Sequence, residues 1–248
     1  MGTQTLILGL DCAVATRNRG LAVGSWDGTR LTVLEATHGD KLDAKTMLQQ
    51  ARAGFEGPVL VAMDAPLGWP AALGEALGPH STGQRITHAP NDLFRRYTDT
   101  FIKETLGKTP LEVGADRIAR TAHAALEQLH GLRTSSGLGI EPLWTHQGDW
   151  DSGVIEVYPA ATLTSMGMIS RGYKKSNQAD VRARMLDALR DHMTFAMDTQ
   201  ALLDQADILD AVICLLAGVD FLTGRAMAPP SDRMDLIRKE GWVWVRPR

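Results

Sequence analysis

Two short apolar runs that each end on an aspartate constrain the fold of this chain more than any other feature. Residues 6–11 read LILGLD, and residues 58–64 read PVLVAMD. Such runs are typical of strands buried on both faces, as in parallel pairing. A carboxylate at the tip of a buried strand is costly unless something compensates its charge. Asp11 and Asp64 are therefore the first candidate site residues, although a strand-end aspartate can also be a turn or cap residue.

The stretch between these two runs predicts how they are connected. Residues 20–26 and 30–36 are strand-like and flank an Asp-Gly pair at 27–28, which is typical of a tight hairpin. Residues 41–53 have helical spacing of apolar residues. We therefore predict an α/β fold with a mixed sheet: a three-stranded antiparallel meander, a crossover helix and a strand parallel to the first. In that arrangement the two strand-end aspartates are neighbours.

The middle of the chain has a different character. Residues 68–150 begin rich in Gly and Pro, and a helix is predicted over 113–132. We predict an inserted, largely helical region here, within a single domain spanning residues 1–248. That length, with 44% hydrophobic residues, allows one sizeable core.

The last third of the chain predicts a further strand and two helices. Residues 153–158 are strand-like, and the tail 240–248 allows one more short strand. The helix predicted over 177–193 places apolar residues inward and its arginines, including Arg182, outward. A single, mostly apolar helix is predicted over 201–222.

This last helix carries the second half of a candidate acidic site. Asp207 and Asp210 have i, i+3 spacing, so they share a face of an otherwise apolar helix. Clustered carboxylates repel each other, and a hard divalent cation is the simplest compensation. Two such ions can clamp the attacking and leaving oxygens of a phosphodiester. Glu156 on the neighbouring strand either joins this cluster or faces solvent, and Asp204 is expected to cap the helix or face solvent.

Composition and missing motifs narrow the classes of function. The net charge of −3 disfavours a generic cationic nucleic-acid coat. Neither GxxxxGK[ST] nor GxGxxG is present, and the seven histidines lack zinc-type spacing. Cys12 and Cys214 are expected to be buried thiols. No apolar run is long enough to cross a bilayer, and the start lacks signal-peptide features, so we expect a cytoplasmic protein with no membrane partner.

Together these features resemble the ribonuclease H-like fold, and the D-x-x-D helix is similar to that of the Holliday-junction resolvase branch. More closely, the chain resembles the predicted nucleases grouped as domain of unknown function 429. The matching stretches lie between residues 9 and 245: GLDCA, MDAPLGWP, RRYTD, VIEVYPAATL, RGYKK, DQADILDAVICLLAG and EGWVWV.

The resemblance implies a predicted nuclease or phosphodiesterase that uses Mg²⁺ or Mn²⁺, with two ions expected. Its partner would be nucleic acid or another phosphate-bearing substrate, and a homodimer is compatible with it. Two alternatives stay open: a phosphotransferase of the related sugar- and acetate-kinase superfamily, and a non-catalytic binding module. The first is disfavoured because no Gly-rich turn follows Asp11. The implied residues are Asp11, Asp64, Asp207 and Asp210 as metal ligands, these four and Glu156 as catalytic residues, and Arg96, Asp99, Tyr173 and Lys174 as substrate-binding residues.

Overall fold

A seven-stranded mixed sheet forms the centre of the computed structural model, which describes residues 4–114 and 116–248. The strands are β1 (Thr5–Asp11), β2 (Gly20–Trp26), β3 (Leu31–His38), β4 (Val59–Asp64), β5 (Glu141–Pro142), β6 (Ser152–Glu156) and β7 (Met193–Phe195).

The order of the strands is β5-β6-β4-β1-β2-β3-β7. β1, β2 and β3 form an antiparallel meander, and β4 lies parallel to β1. Gly28, in the hairpin between β2 and β3, has a φ of 94°, which a glycine adopts without strain. β6 lies parallel to β4, and the short strands β5 and β7 extend the two edges. The predicted α/β class, the meander and the parallel fourth strand are confirmed.

Helices cover both faces of the sheet. None of the helices in the described residues combines the length and the apolar character that a membrane crossing needs. The helices are α1 (Ala44–Ala51), α2 (Ala71–Leu77), α3 (Pro90–Phe94), α4 (Tyr97–Leu106), α5 (Asp116–Ser136), α6 (Pro159–Ser165), α7 (Ala179–Leu189), α8 (Gln200–Asp204), α9 (Ala206–Leu222) and α10 (Met234–Glu240).

The two faces of β1 pack against different helices because side chains alternate along a strand. Leu6, Leu8 and Leu10 belong to the core cluster that contains residues of α1 and α5. Ile7 belongs to the core cluster on the opposite side, which is built around α9. β4 alternates in the same way, with Leu60 on the α9 side. Both faces of these strands are therefore buried, as their unbroken apolar sequences predicted.

The region 68–150 contains α2, α3, α4 and α5, and its last part contributes to the sheet. β5 pairs with β6 at the sheet edge, and a helix observed at Asp116–Ser136 corresponds to the one predicted over 113–132. The single-domain organisation with an insertion at 68–150 stays a prediction.

The apolar segment 201–222 is not one helix, as predicted, but two. Gln205 has an extended backbone (φ −133°, ψ 115°) and separates α8 from α9. Asp204 is consequently exposed at the end of α8, where it accepts a hydrogen bond from Gln200. Asp207 lies in the first turn of α9, where the helix dipole favours a negative charge.

The outward position predicted for Arg182 is wrong. This residue is buried, and its guanidinium donates hydrogen bonds to the backbone carbonyls of Tyr173, Lys175 and Leu203. The first two carbonyls lie in the irregular segment before α7 and the third in the last turn of α8, where carbonyls lack backbone N–H donors within their own element, so the buried arginine supplies the donors. The tail 240–248 also differs from a regular strand: Val243 forms one isolated parallel bridge with Glu156.

Candidate functional site

Asp11 and Asp64 lie side by side at one edge of the sheet. They are the last residues of β1 and β4, and the parallel register pairs them directly. Since alternation places residues 7, 9 and 11 on one face of β1, Asp11 faces α9, as does Asp64 on β4. The predicted adjacency of the two aspartates is confirmed.

Two glycines allow α9 to approach this edge closely. A Cβ atom at Gly9 would collide with the carbonyl oxygen of Ala211, and one at Gly20 would collide with that of Asp207. Glycine is therefore required at both positions for the observed packing of α9 on β1 and β2. The close approach places the buried Asp210 over the strand ends, while Asp207 lies nearby with a partly exposed side chain.

The Asp210 carboxylate is held by two consecutive residues from the segment before α7. The Tyr173 hydroxyl donates a hydrogen bond of 2.7 Å to Oδ1, and the Lys174 ammonium lies 2.5 Å from Oδ2. Arg182 fixes this segment through its bond to the Tyr173 carbonyl. The Lys174 side chain is 58% exposed, whereas the Asp210 carboxylate that it contacts is fully buried.

Burial and mutual repulsion raise the pKa values of the clustered carboxyls. Burial raises the pKa of Asp11 well above its ordinary value, and the charges of Asp64 and Asp210 raise it further. Burial also raises the pKa of Asp64 to about 7, against the opposing effect of the Lys174 ammonium. The pKa of Asp210 is raised because burial outweighs the lowering by Lys174 and by the Tyr173 hydroxyl. Burial and repulsion thus make the charged form of this cluster costly, and a bound cation would relieve that cost.

A cleft of about 320 Å³ opens above the carboxylates. Its floor is acidic, and one wall is largely apolar. The residues lining it are Asp11, Cys12, Asp64, Ala65, Pro66, Arg96, Pro110, Leu111, Ile118, Thr121, Glu156, Val157, Tyr158, Ala160, Lys174 and Val243.

Glu156 reaches the same cleft from the opposite face of the sheet. It lies in register with Met63, so alternation directs it away from the side that Asp64 faces. Its carboxylate accepts hydrogen bonds of 2.9 and 2.7 Å from the guanidinium of Arg96 and one of 3.1 Å from the Leu67 amide. A direct role of Glu156 at a metal ion would require it to leave this ion pair.

Arg96 and Asp99 belong to the same buried network. The Arg96 guanidinium donates two bonds to Asp99, two to Glu156 and one to the Glu240 carbonyl, with distances from 2.7 to 3.2 Å. These contacts use the five N–H groups of the guanidinium. A substrate phosphate would have to displace one of these five hydrogen bonds. In this structure Arg96 and Asp99 therefore hold parts of the protein together and leave no N–H group of Arg96 for a substrate.

Several residues at or near the site were not assigned a role from the sequence. Tyr158 lines the cleft, Arg182 fixes the segment that carries Lys174, and Glu240 accepts bonds from the first amides of α2 and α4. Tyr158 and Glu240 lie in the stretches VIEVYPAATL and EGWVWV, which were usable signals. The role of Arg182 depends on contacts between distant parts of the chain.

The donor set at the sheet edge has the chemistry of a site for a hard divalent cation. Asp11, Asp64 and Asp210 offer carboxylate oxygens, which Mg²⁺ and Mn²⁺ prefer. Oδ2 of Asp210 is buried without a well-aligned hydrogen bond and contacts the Lys174 ammonium. Within residues 4–114 and 116–248, no group of three or more His, Cys, Asp or Glu side chains is already spaced to hold a metal. Both cysteines are free, buried thiols, as predicted.

The fold and the site define an α/β protein with a mixed sheet and an acidic cleft at the ends of two central parallel strands. The chain belongs to the family described as "Protein of unknown function (DUF429)", whose model matches residues 9–235. No curated protein and no solved structure matches the chain.

Proposed function

We propose that this protein is a divalent-metal-dependent nuclease, or another phosphodiesterase, on a sheet of the ribonuclease H-like type. The meander with two parallel strands added beside β1 supports that fold. The activity is supported by one observation above all. Asp11 and Asp64, paired in register, lie beneath Asp210, which α9 brings to the same face.

Asp11, Asp64 and Asp210 would hold Mg²⁺ or Mn²⁺, with Asp207 at the rim of the site. When bound, such ions supply a Lewis acid for the phosphoryl oxygens and lower the pKa of water. The loss of any one carboxylate should therefore weaken both metal binding and hydrolysis.

Tyr173 and Lys174 would support this chemistry through their contacts with the Asp210 carboxylate. Tyr173 orients the Asp210 carboxylate through its hydroxyl, and burial together with the charge of Asp210 raises the pKa of this tyrosine, so it stays a donor. Lys174 neutralises Asp210 in the metal-free protein. Burial opposes its charge, but Asp210, Asp64 and Asp11 outweigh that effect and raise its pKa. Once released from Asp210, the ammonium is available as a point charge for a substrate phosphate.

The test is cleavage of labelled single-stranded, duplex and branched nucleic acids in the presence of Mn²⁺. We expect Asp11→Asn and Asp210→Asn to reduce cleavage by more than about 100-fold, the upper range for losing an outer-shell partner of a metal. Asp204→Asn is the matched control, because Asp204 is exposed on α8 outside the cluster.

Cleavage that survives both substitutions would overturn the proposed site. Turnover of ATP without cleavage would favour a phosphotransferase instead. Absence of Mn²⁺ binding by calorimetry, together with absence of cleavage, would favour a binding module.

A further inference from the structure

The carboxylates of the acidic cluster differ in what already compensates their charge. The Asp210 side chain is fully buried, and both of its oxygens have a partner: the Tyr173 hydroxyl donates to Oδ1, and the Lys174 ammonium lies 2.5 Å from Oδ2. Within residues 4–114 and 116–248, none of the ion pairs involves the carboxylate of Asp11 or Asp64. The cluster therefore already contains one cation, and that cation lies on Asp210.

The segment that carries Lys174 is fixed to the rest of the protein. The guanidinium of the buried Arg182 donates hydrogen bonds of 2.6 and 2.8 Å to the carbonyls of Tyr173 and Lys175, the residues on either side of Lys174. The Tyr173 side chain is itself buried, and its hydroxyl bonds to Asp210. The fold thus holds the ammonium at Asp210, whereas an exposed lysine pairs only weakly with a surface carboxylate.

The charges of the cluster determine how many ions balance it. Asp11, Asp64 and Asp210 carry three negative charges when ionised, and the Lys174 ammonium carries one positive charge. One divalent ion then makes this group of four side chains neutral. A second divalent ion would leave two excess positive charges in a largely buried site, where repulsion between like charges is strong. Asp207, at the partly exposed rim, would offset only one of them.

We propose that the Lys174 ammonium takes the place of a second divalent ion, so that the site binds one ion, at Asp11 and Asp64, and not the two that the family resemblance implies. An ammonium on a flexible stem supplies a point charge at Asp210, as a second ion would. A substrate phosphate, and not a metal ion, would draw this ammonium from Asp210. The inference rests on the proposed function for the metal and adds how many ions the site takes.

The experiment is calorimetric titration of the full chain with Mn²⁺, compared between the parent, Lys174→Gln and Lys175→Gln. The parent should bind one ion. We expect Lys174→Gln to bind a second ion at least about tenfold more tightly than any second ion in the parent, because the ammonium no longer competes for Asp210. A glutamine amide can still donate to the buried Asp210 oxygen, which limits the loss of stability.

Lys175→Gln is the matched control. It makes the same change one residue away, at an exposed side chain, and it keeps the carbonyl that Arg182 uses. This variant should bind one ion, as the parent does. Two ions of similar affinity in the parent would overturn the inference, as would a Lys174→Gln variant that binds no more ions than Lys175→Gln.

A second measurement needs no variant, so it decides the question even if Lys174→Gln does not fold. Acetic anhydride acylates the lysines of the parent, and mass spectrometry compares Lys174 with Lys175 in EDTA and at saturating Mn²⁺. We expect Mn²⁺ not to raise the ratio of Lys174 to Lys175 acylation, because the ammonium stays on Asp210. A higher ratio with Mn²⁺ would show that the metal displaces the ammonium, and the inference would be wrong.

The titration measures metal binding without catalysis, so its outcomes separate this inference from the proposed function. A chain that binds one Mn²⁺, and two after Lys174→Gln, but cleaves nothing would keep the inference and contradict the nuclease. A chain that cleaves nucleic acid with two ions bound to the parent would do the reverse. Absence of Mn²⁺ binding would contradict both.

Discussion

Asp210 and Asp64 lie in the same cluster but are compensated differently. Asp210 has a hydroxyl on one oxygen and an ammonium on the other, both from the segment before α7. Asp64 lies at a strand end, and the Lys174 charge acts on it only from a distance. Protonation is therefore the simplest way for the metal-free protein to accommodate the Asp64 carboxyl.

This difference predicts how stability depends on pH. Because burial raises the pKa of Asp64 to about 7, the folded chain binds more protons than the unfolded chain between about pH 4 and pH 7. The protonated Asp64 carboxyl therefore makes its full contribution to the free energy of unfolding at the low end of that window, and this contribution is lost as the pH rises through the window. An asparagine at this position cannot titrate, so we expect the free energy of unfolding of Asp64→Asn to lack this loss. Between about pH 4.5 and about pH 7.5, the difference in free energy of unfolding between the metal-free variant and the parent should shift in favour of the variant by on the order of 1–3 kcal/mol.

Urea unfolding in EDTA at both pH values measures the effect. Asp204→Asn, an exposed substitution, should keep the parent's pH dependence. The prediction is contradicted if the free energy of unfolding of Asp64→Asn falls with pH as steeply as that of the parent.

Helix α9 carries the third carboxylate of the cluster, Asp210, to the two strand-end aspartates, Asp11 and Asp64. Its backbone lies directly on β1 and β2, and the approach depends on the absence of side chains at Gly9 and Gly20. A shift of α9 away from the sheet would therefore separate Asp210 from Asp11. The acidic site therefore forms only when α9 packs closely on β1 and β2.

The change Gly20→Ala tests this packing. The new methyl group would meet the backbone carbonyl of Asp207, which cannot rotate away, so α9 or β2 has to move. We expect destabilisation by about 1–3 kcal/mol or more, measured by urea unfolding, and weaker Mn²⁺ binding. Gly74→Ala is the control, because its Cβ would enter open space within α2 and should stabilise the chain by about 0.5–1 kcal/mol. Equal stability of Gly20→Ala and the parent would show that α9 is free to adjust.

The buried network around Arg96 connects distant parts of the molecule. Glu156 comes from β6, Asp99 and Arg96 from the region 68–150, and the Glu240 carbonyl from α10. The Glu240 side chain also accepts bonds from the amides of Ala71 and Tyr97, at the starts of α2 and α4. Glu156 and Glu240 thus hold the helical region on the sheet beside the cleft.

The change Glu156→Gln separates this structural role from the catalytic role predicted from the sequence. Asp99 still neutralises the buried Arg96 in this variant, so the loss is that of two charge-assisted hydrogen bonds to Glu156, which should cost about 1–3 kcal/mol of stability. We expect cleavage and Mn²⁺ binding to persist at temperatures where the variant is folded. Glu104→Gln, exposed on α4, is the control. If the variant had the parent's stability but no cleavage activity, Glu156 would be a catalytic residue, as the sequence predicted.

The pattern of apolar residues was sufficient to predict the meander, the parallel strand and the pairing of Asp11 with Asp64. Strand periodicity and hairpin chemistry are local, and the rule for crossover connections then places β4 beside β1. The helix break at Gln205 escaped prediction because apolar spacing continues across it. Arg182 was misplaced because its acceptors lie in segments distant from α7, and helical periodicity carries no information about them.

The sequence by itself therefore determined which strands exist, which faces they bury and which carboxylates end at the same sheet edge. The tertiary structure alone decided that Lys174 and Tyr173 hold Asp210, that Arg96 pairs with Glu156 away from the acidic face, and that an apolar wall closes the cleft. The physical reason is the range of the interactions. Periodicity and turn preferences act over a few residues, whereas a buried charge takes whichever partner the packing of remote segments brings within hydrogen-bonding distance.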